Sequence, residues 1–125
     1  MGPPRRDLRE RSFELAARVF HAFRDLSAGD ARHEHVAKQL FRAATSVAAQ
    51  LEEAAVYASR RDLAHKLSQA LREAREAHLW LRLIAQEPSR APMVAWELRE
   101  ANELIAILTT SVKRLKEEEQ TGPDR

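Results

Sequence analysis

The sequence predicts an all-α fold, an antiparallel up-down-up-down four-helix bundle. Three observations carry that expectation. The chain has 125 residues but only three glycines and one tyrosine, with alanine, leucine and glutamate abundant; sheets want glycine turns and β-branched strands instead. Apolar residues recur at alternating spacings of three and four in four separate runs, the signature of a helix face. Short polar or proline-bearing segments separate the runs, so neighbouring helices must reverse direction. The length fits one domain able to bury about two-thirds of its unfolded surface. The chain contains no cysteine, which excludes disulfides and thiolate metal sites and suits a reducing compartment.

The first helix is expected over about 7–26. Leu8, Ser12, Leu15, Val19, Ala22 and Leu26 form one face, and Phe13, Ala16, Phe20 and Phe23 form a second apolar row. Gly29 is placed to end this helix in a left-handed cap. The second helix is expected over 33–58, on Val36, Leu40, Ala44, Val47, Leu51 and Ala55. Its many alanines predict close backbone approach. The third is expected over 60–87, capped by Ser59 with the acidic Asp62 at the third helical position. Its stripe is Leu63, Leu67, Ala70, Ala74, Ala77, Leu81 and Ile84. Pro88 and Pro92 break the pattern. The fourth is expected over 92–118, with Pro92 near its first position and Leu98, Ala101, Ile105, Leu108, Val112 and Leu115 facing inward. Residues 1–6 and 119–125 read as disordered tails. No secretory pattern and no run of the ~20 apolar residues of a membrane span occurs. A cytoplasmic, membrane-free protein is the resulting expectation.

One bundle needs one apolar stripe per helix, and this chain offers more. At about 100° per residue, Leu79 points roughly 180° away from Ala70. Trp80 and Leu83 lie on a flank, while Leu104 and Ile107 sit beside the stripe of the fourth helix. Outward apolar groups of this size mark interfaces. Self-association through Leu79, Trp80, Leu83, Leu104 and Ile107 is therefore expected.

Chemistry finds little foothold. A bundle di-metal site needs Glu-x-x-His on two helices, but the residues three before the histidines are Arg18, Asp30, Arg32, Asp62 and Arg75. His33-Glu34-His35 puts its ends on different faces. Serines 12, 46, 68 and 111 have no evident base, and no phosphate-cradling glycine loop exists. No enzyme, cofactor, metal or small-molecule substrate is expected.

The charge pattern is more informative. Arginine greatly outnumbers lysine among 21 basic residues, yet the net charge is only +2. Arg61, His65, Ser68, Arg72, Arg75, Leu79 and Arg82 share one outward face of the third helix by their spacing. Arginine suits phosphate because its fork bonds bidentately. Arg61, Arg72, Arg75 and Arg82, with Arg42 and Lys66, form the expected nucleic-acid-binding set. A solvated, salt-bridged face on a protein-only scaffold is the competing reading.

The runs Gln39–Ala54, Ser59–Glu76, Trp80–Leu83 and Leu98–Ser111 resemble the bacterial four helix bundle protein family, first noticed in intervening sequences of large-subunit ribosomal RNA genes. The resemblance spans about Arg11 to Lys116. Ala48 stands where the family usually has glycine, and Gln50 where it has asparagine. The resemblance implies a bundle assembled as a homopentameric ring. It also implies a distant kinship with the retroelement accessory variability determinant, which binds RNA and a reverse transcriptase on a basic surface. The expected partners are thus a second copy of the chain, and RNA or an RNA-binding protein.

Overall fold

The computed structural model describes residues 5–121. It contains four long α-helices: α1 Arg5–Ser27, α2 Ala31–Ala54, α3 Arg60–Ala85 and α4 Ala95–Thr121. A 3-10 turn, Ala91–Val94, leads into α4. No strand occurs among the described residues. The chain is all-α, as its composition and periodicity predict.

Each helix boundary has a local cause. After α1, Gly29 takes a φ of +129°, a conformation that side chains resist. A Cβ there would lie 2.5 Å from His33 Nδ1. Asp30 then caps α2: its carboxylate accepts from the Arg32 and His33 amides at 2.9 and 3.4 Å. The Asp30 amide in turn donates to His33 Nδ1 at 3.2 Å. This is a capping box in which histidine replaces the usual glutamate.

The second helix stops at Ala54 and does not reach residue 58. Ser59 caps α3 by accepting from the Asp62 amide at 3.1 Å, and the Asp62 carboxylate reaches back to the Ala58 amide at 3.0 Å. That amide cannot also donate to an α2 carbonyl, so the cap of α3 sets the end of α2. Val56 and Tyr57, poor helix formers, are left exposed in the connection. The third helix ends at Ala85, two residues short of expectation, because the ring of Pro88 disfavours helical geometry at Glu87. Pro92 falls within the 3-10 turn, so α4 proper starts at Ala95. Arg5 and Arg6 are helical, as are Glu119 to Thr121. The rest of the expected tails, 1–4 and 122–125, lies outside the described residues.

Packing follows chain order. α1 lies against α2, α2 against α3, α3 against α4, and α4 returns to α1, while α1 and α3 do not touch. Ion pairs cross the seams between the early turns of one helix and the late turns of its neighbour: Arg9 with Glu52 at 2.8 Å, Lys66 with Glu53 at 2.7 Å, and Arg60 with Glu118. The core is leucine and alanine. Leu15, Leu40, Leu81, Leu104 and Leu108 are wholly enclosed, each worth about 1.5–3 kcal/mol of burial. Ala37, Ala43, Ala44, Ala70, Ala74, Ala77 and Ala101 are buried with them. The α3 stripe is buried from Leu67 to Ile84 as its spacing predicts.

Candidate functional site

The basic residues expected on and near α3 divide into two groups. Arg42 reaches Glu73 at 3.3 Å and bonds Glu76 more closely. Lys66 donates to Glu53 at 2.7 Å, and that bond holds its ammonium above the ordinary lysine pKa. Arg61 lies 3.5 Å from Glu119. These three cations are spent on neighbouring helices. Arg72, Arg75 and Arg82 are exposed, and none meets a carboxylate among the described residues.

The carboxylates explain the division. Glu14 pairs with Arg18, Glu34 with Lys38, Glu52 with Arg9, and Asp30 with Arg32. Glu100 takes both arms of Arg11 at 2.8 and 2.9 Å, while Glu103 accepts from it at 2.6 Å. These bonds raise the Arg11 pKa well above the usual guanidinium value. Most acidic side chains are thus consumed within the chain, and the surplus is cationic.

Helical geometry places part of that surplus along one seam. At about 100° per residue, Arg75, His78 and Arg82 turn to the α4 side of α3, and Lys113 and Lys116 turn to the α3 side of α4. The strip between Arg82 and Lys116 is roughly 30 Å long. His78 reports on it: burial first, then the charge of Arg82, pushes its pKa below the usual imidazole value.

The expected apolar contact residues also divide. Leu79 and Leu83 are 46% and 40% exposed. Trp80 is half-buried against the core, its ring 5.9 Å from that of His35 and its indole N–H without a partner. Ile107 is half-buried. Leu104 is not an outward residue; it is fully enclosed. α4 packs against both α1 and α3, so its buried face is wider than one stripe and takes in Leu104 beside Ala101 and Leu108. On α1, Phe13 and Phe20 stand 64% and 61% exposed. Phe20 abuts Phe41 of α2, their ring centres 6.2 Å apart.

One cluster was not legible from spacing. At the end of the bundle, His33 Nδ1 accepts from Asp30, so Nε2 carries the proton and donates to Glu87 at 3.0 Å. Arg90 lies 3.3 Å from Glu87 and donates to the Leu26 carbonyl at 3.1 Å and to that of Ala28. It thereby caps the C-terminus of α1 from a connection more than sixty residues away. Beside this clasp lies a cavity of about 470 Å³ bordered by Leu26, Val36, Leu83 and Ile84. Among the described residues no three histidine or acidic side chains converge as a metal site requires. No described helix is long and apolar enough to cross a membrane.

An all-α chain with four helices in sequential contact and a cationic surplus on one seam defines a helical-bundle protein. The family model for the 23S rRNA-intervening sequence protein matches residues 6–110. The chain belongs to that family, in agreement with the runs that first resembled it. It is also similar to a crystallised protein of unknown function from the S23 ribosomal protein family of Bacteroides thetaiotaomicron VPI-5482. The two share 26% identity with a TM-score of 0.73, over 87% of this chain and 97% of that one. None of the curated proteins matches the chain.

Proposed function

We propose that this protein is a non-enzymatic, self-associating module, an antiparallel up-down-up-down bundle whose copies form a ring, pentameric in keeping with the family resemblance, and present a repeated basic surface to RNA. The observation that carries the reading is the sorting of charge. Among the described residues Arg72, Arg75 and Arg82 meet no carboxylate, while most acidic groups are engaged. A second copy of the same chain has few free carboxylates to offer them, so a polyanion is the better complement. Phosphate contacts dominate such binding and make it salt-dependent. A ring would set the same strip side by side in every copy, which compensates for the small net charge of each. The chain order of the helix contacts and the ion pairs between early and late turns support the antiparallel course.

Retention of a structured RNA hairpin should be measured against salt by fluorescence anisotropy. Binding should weaken steeply as salt rises, by about 0.7–0.9 in log affinity per log salt for each phosphate neutralised. The double variant Arg75→Gln, Arg82→Gln should flatten the slope. Arg42→Gln should leave it unchanged, because that side chain already belongs to Glu73 and Glu76. No binding at low salt would overturn the RNA reading and favour a scaffold that contacts only protein, for which a nuclease-insensitive pull-down is the positive sign.

A further inference from the structure

The basic strip along the seam of α3 and α4 has an internal order. Leu81 and Ile84 share one core group with Val94 and Ala101, while Leu67 and Ala70 share another with Leu108 and Val112. Arg75 and Arg82 therefore lie level with the first part of α4, well short of Lys113 and Lys116. At about 1.5 Å per residue, Arg75 stands roughly 15 Å from Lys113 along the seam, and Arg82 roughly 30 Å from Lys116. All four are exposed. Asn102 and Thr109 recur on the face of α4 that carries the lysines, and Ser68 on the face of α3 that carries the arginines. These neutral side chains lie beside and between the two cation pairs. Thr109 Oγ1 donates to the Ile105 carbonyl at 2.7 Å, which leaves the lone pairs of the hydroxyl to accept. The acids at this level face elsewhere: Glu73 and Glu76 hold Arg42 on the α2 side, and Glu100 and Glu103 hold Arg11 on the α1 side.

The aromatic rings stand away from the strip. Phe13 and Phe20 are on α1, which does not touch α3, and Phe23 meets Phe41 across the α1–α2 seam. Trp80 is turned to His35 of α2, and the Arg18 guanidinium of α1 lies 3.9 Å over the centre of the Trp96 ring. Tyr57, in the connection before α3, stands beyond the Lys116 end. Proteins that hold single strands stack successive bases on aromatic rings inside a basic groove. A duplex turns its bases inward, and the wide minor groove of A-form RNA displays 2′-hydroxyls between two rows of phosphates. Two separated cation pairs with hydroxyl and amide groups between them match the duplex pattern. We propose that the strip binds double-stranded RNA across its minor groove, through phosphates and 2′-hydroxyls and without regard to sequence. This rests on the RNA reading above and adds the form that the RNA takes.

The test uses the full chain and a fluorescent RNA duplex of about 16 base pairs, at one fixed low salt. Unlabelled competitors are the same duplex, a duplex of scrambled sequence, a DNA duplex of the same sequence, and one RNA strand chosen not to fold. The scrambled duplex should displace the label as well as the original does, whereas the DNA and the single strand should each need about tenfold more. Arg75→Gln with Arg82→Gln, and Lys113→Gln with Lys116→Gln, should each weaken duplex binding about tenfold or more. Tyr57→Ser should leave it unchanged. Thr109→Val should narrow the preference for RNA over DNA, and Asn102→Ala takes its place if that variant loses helicity by circular dichroism. A single strand or a DNA duplex that competes as well as the RNA duplex overturns the duplex inference, as does weaker binding by Tyr57→Ser; each leaves the RNA reading standing. Cation-pair variants that bind like the unaltered chain overturn it too. Absence of binding to any of these RNAs overturns the RNA reading itself.

Discussion

Gly29 shows how much one residue can fix. Its φ of +129° and the ring of His33 beside it leave no room for a side chain. Gly29→Ala should cost about 1–3 kcal/mol in urea denaturation, with the start of α2 the first segment to lose protection. His78 offers a second test, because its pKa is lowered chiefly by burial and only then by Arg82. By nuclear magnetic resonance, Arg82→Gln should raise that pKa without restoring the ordinary value. A depressed histidine pKa makes the unfolded chain the better proton acceptor. Its contribution to stability is therefore present above the unfolded value of about 6.5 and lost as pH falls through the folded one. RNA bound on the strip should raise the same pKa by adding phosphate charge nearby.

The helices themselves were largely legible from spacing. Leu67, Ala70, Ala74, Ala77, Leu81 and Ile84 are buried in a line, because a period of 3.6 admits only one inward face. Leu81→Ala should destabilise by about 2–5 kcal/mol in thermal or urea unfolding. The end of α2 was overrun although its cause is local. Its continuing alanines favour helix, but Asp62, already legible as the third residue of α3, reaches back four residues to claim the Ala58 amide, a capping contact that outweighs propensity. Ser59→Ala, which removes the cap on Asp62, should cost about 1 kcal/mol and leave the far end of the molecule unaffected.

For the molecule as a whole, what spacing missed depends on which neighbours a residue finds. Leu104 looked outward on a single stripe and is enclosed because α4 serves two partners. Arg42 and Arg75 look alike in sequence, yet only Arg42 faces acidic groups across a seam. A net charge averages over pairs and cannot separate the two. Arg11 is the clearest whole-molecule tie, since it joins α1 to α4, a helix nearly ninety residues on. Arg11→Met should destabilise by about 1–3 kcal/mol, because it strands a partly buried Glu100.

The clasp of His33, Glu87 and Arg90 binds two connections at one end of the bundle, while Val56 and Tyr57 at the other have no such tie. The molecule therefore has one end that tolerates rebuilding and one that does not. A short reporter peptide spliced between Val56 and Tyr57 should leave the helices intact. The same peptide placed between Ala28 and Gly29 would displace the carbonyl that Arg90 holds and the turn that sets Asp30, so the chain would lose its register there.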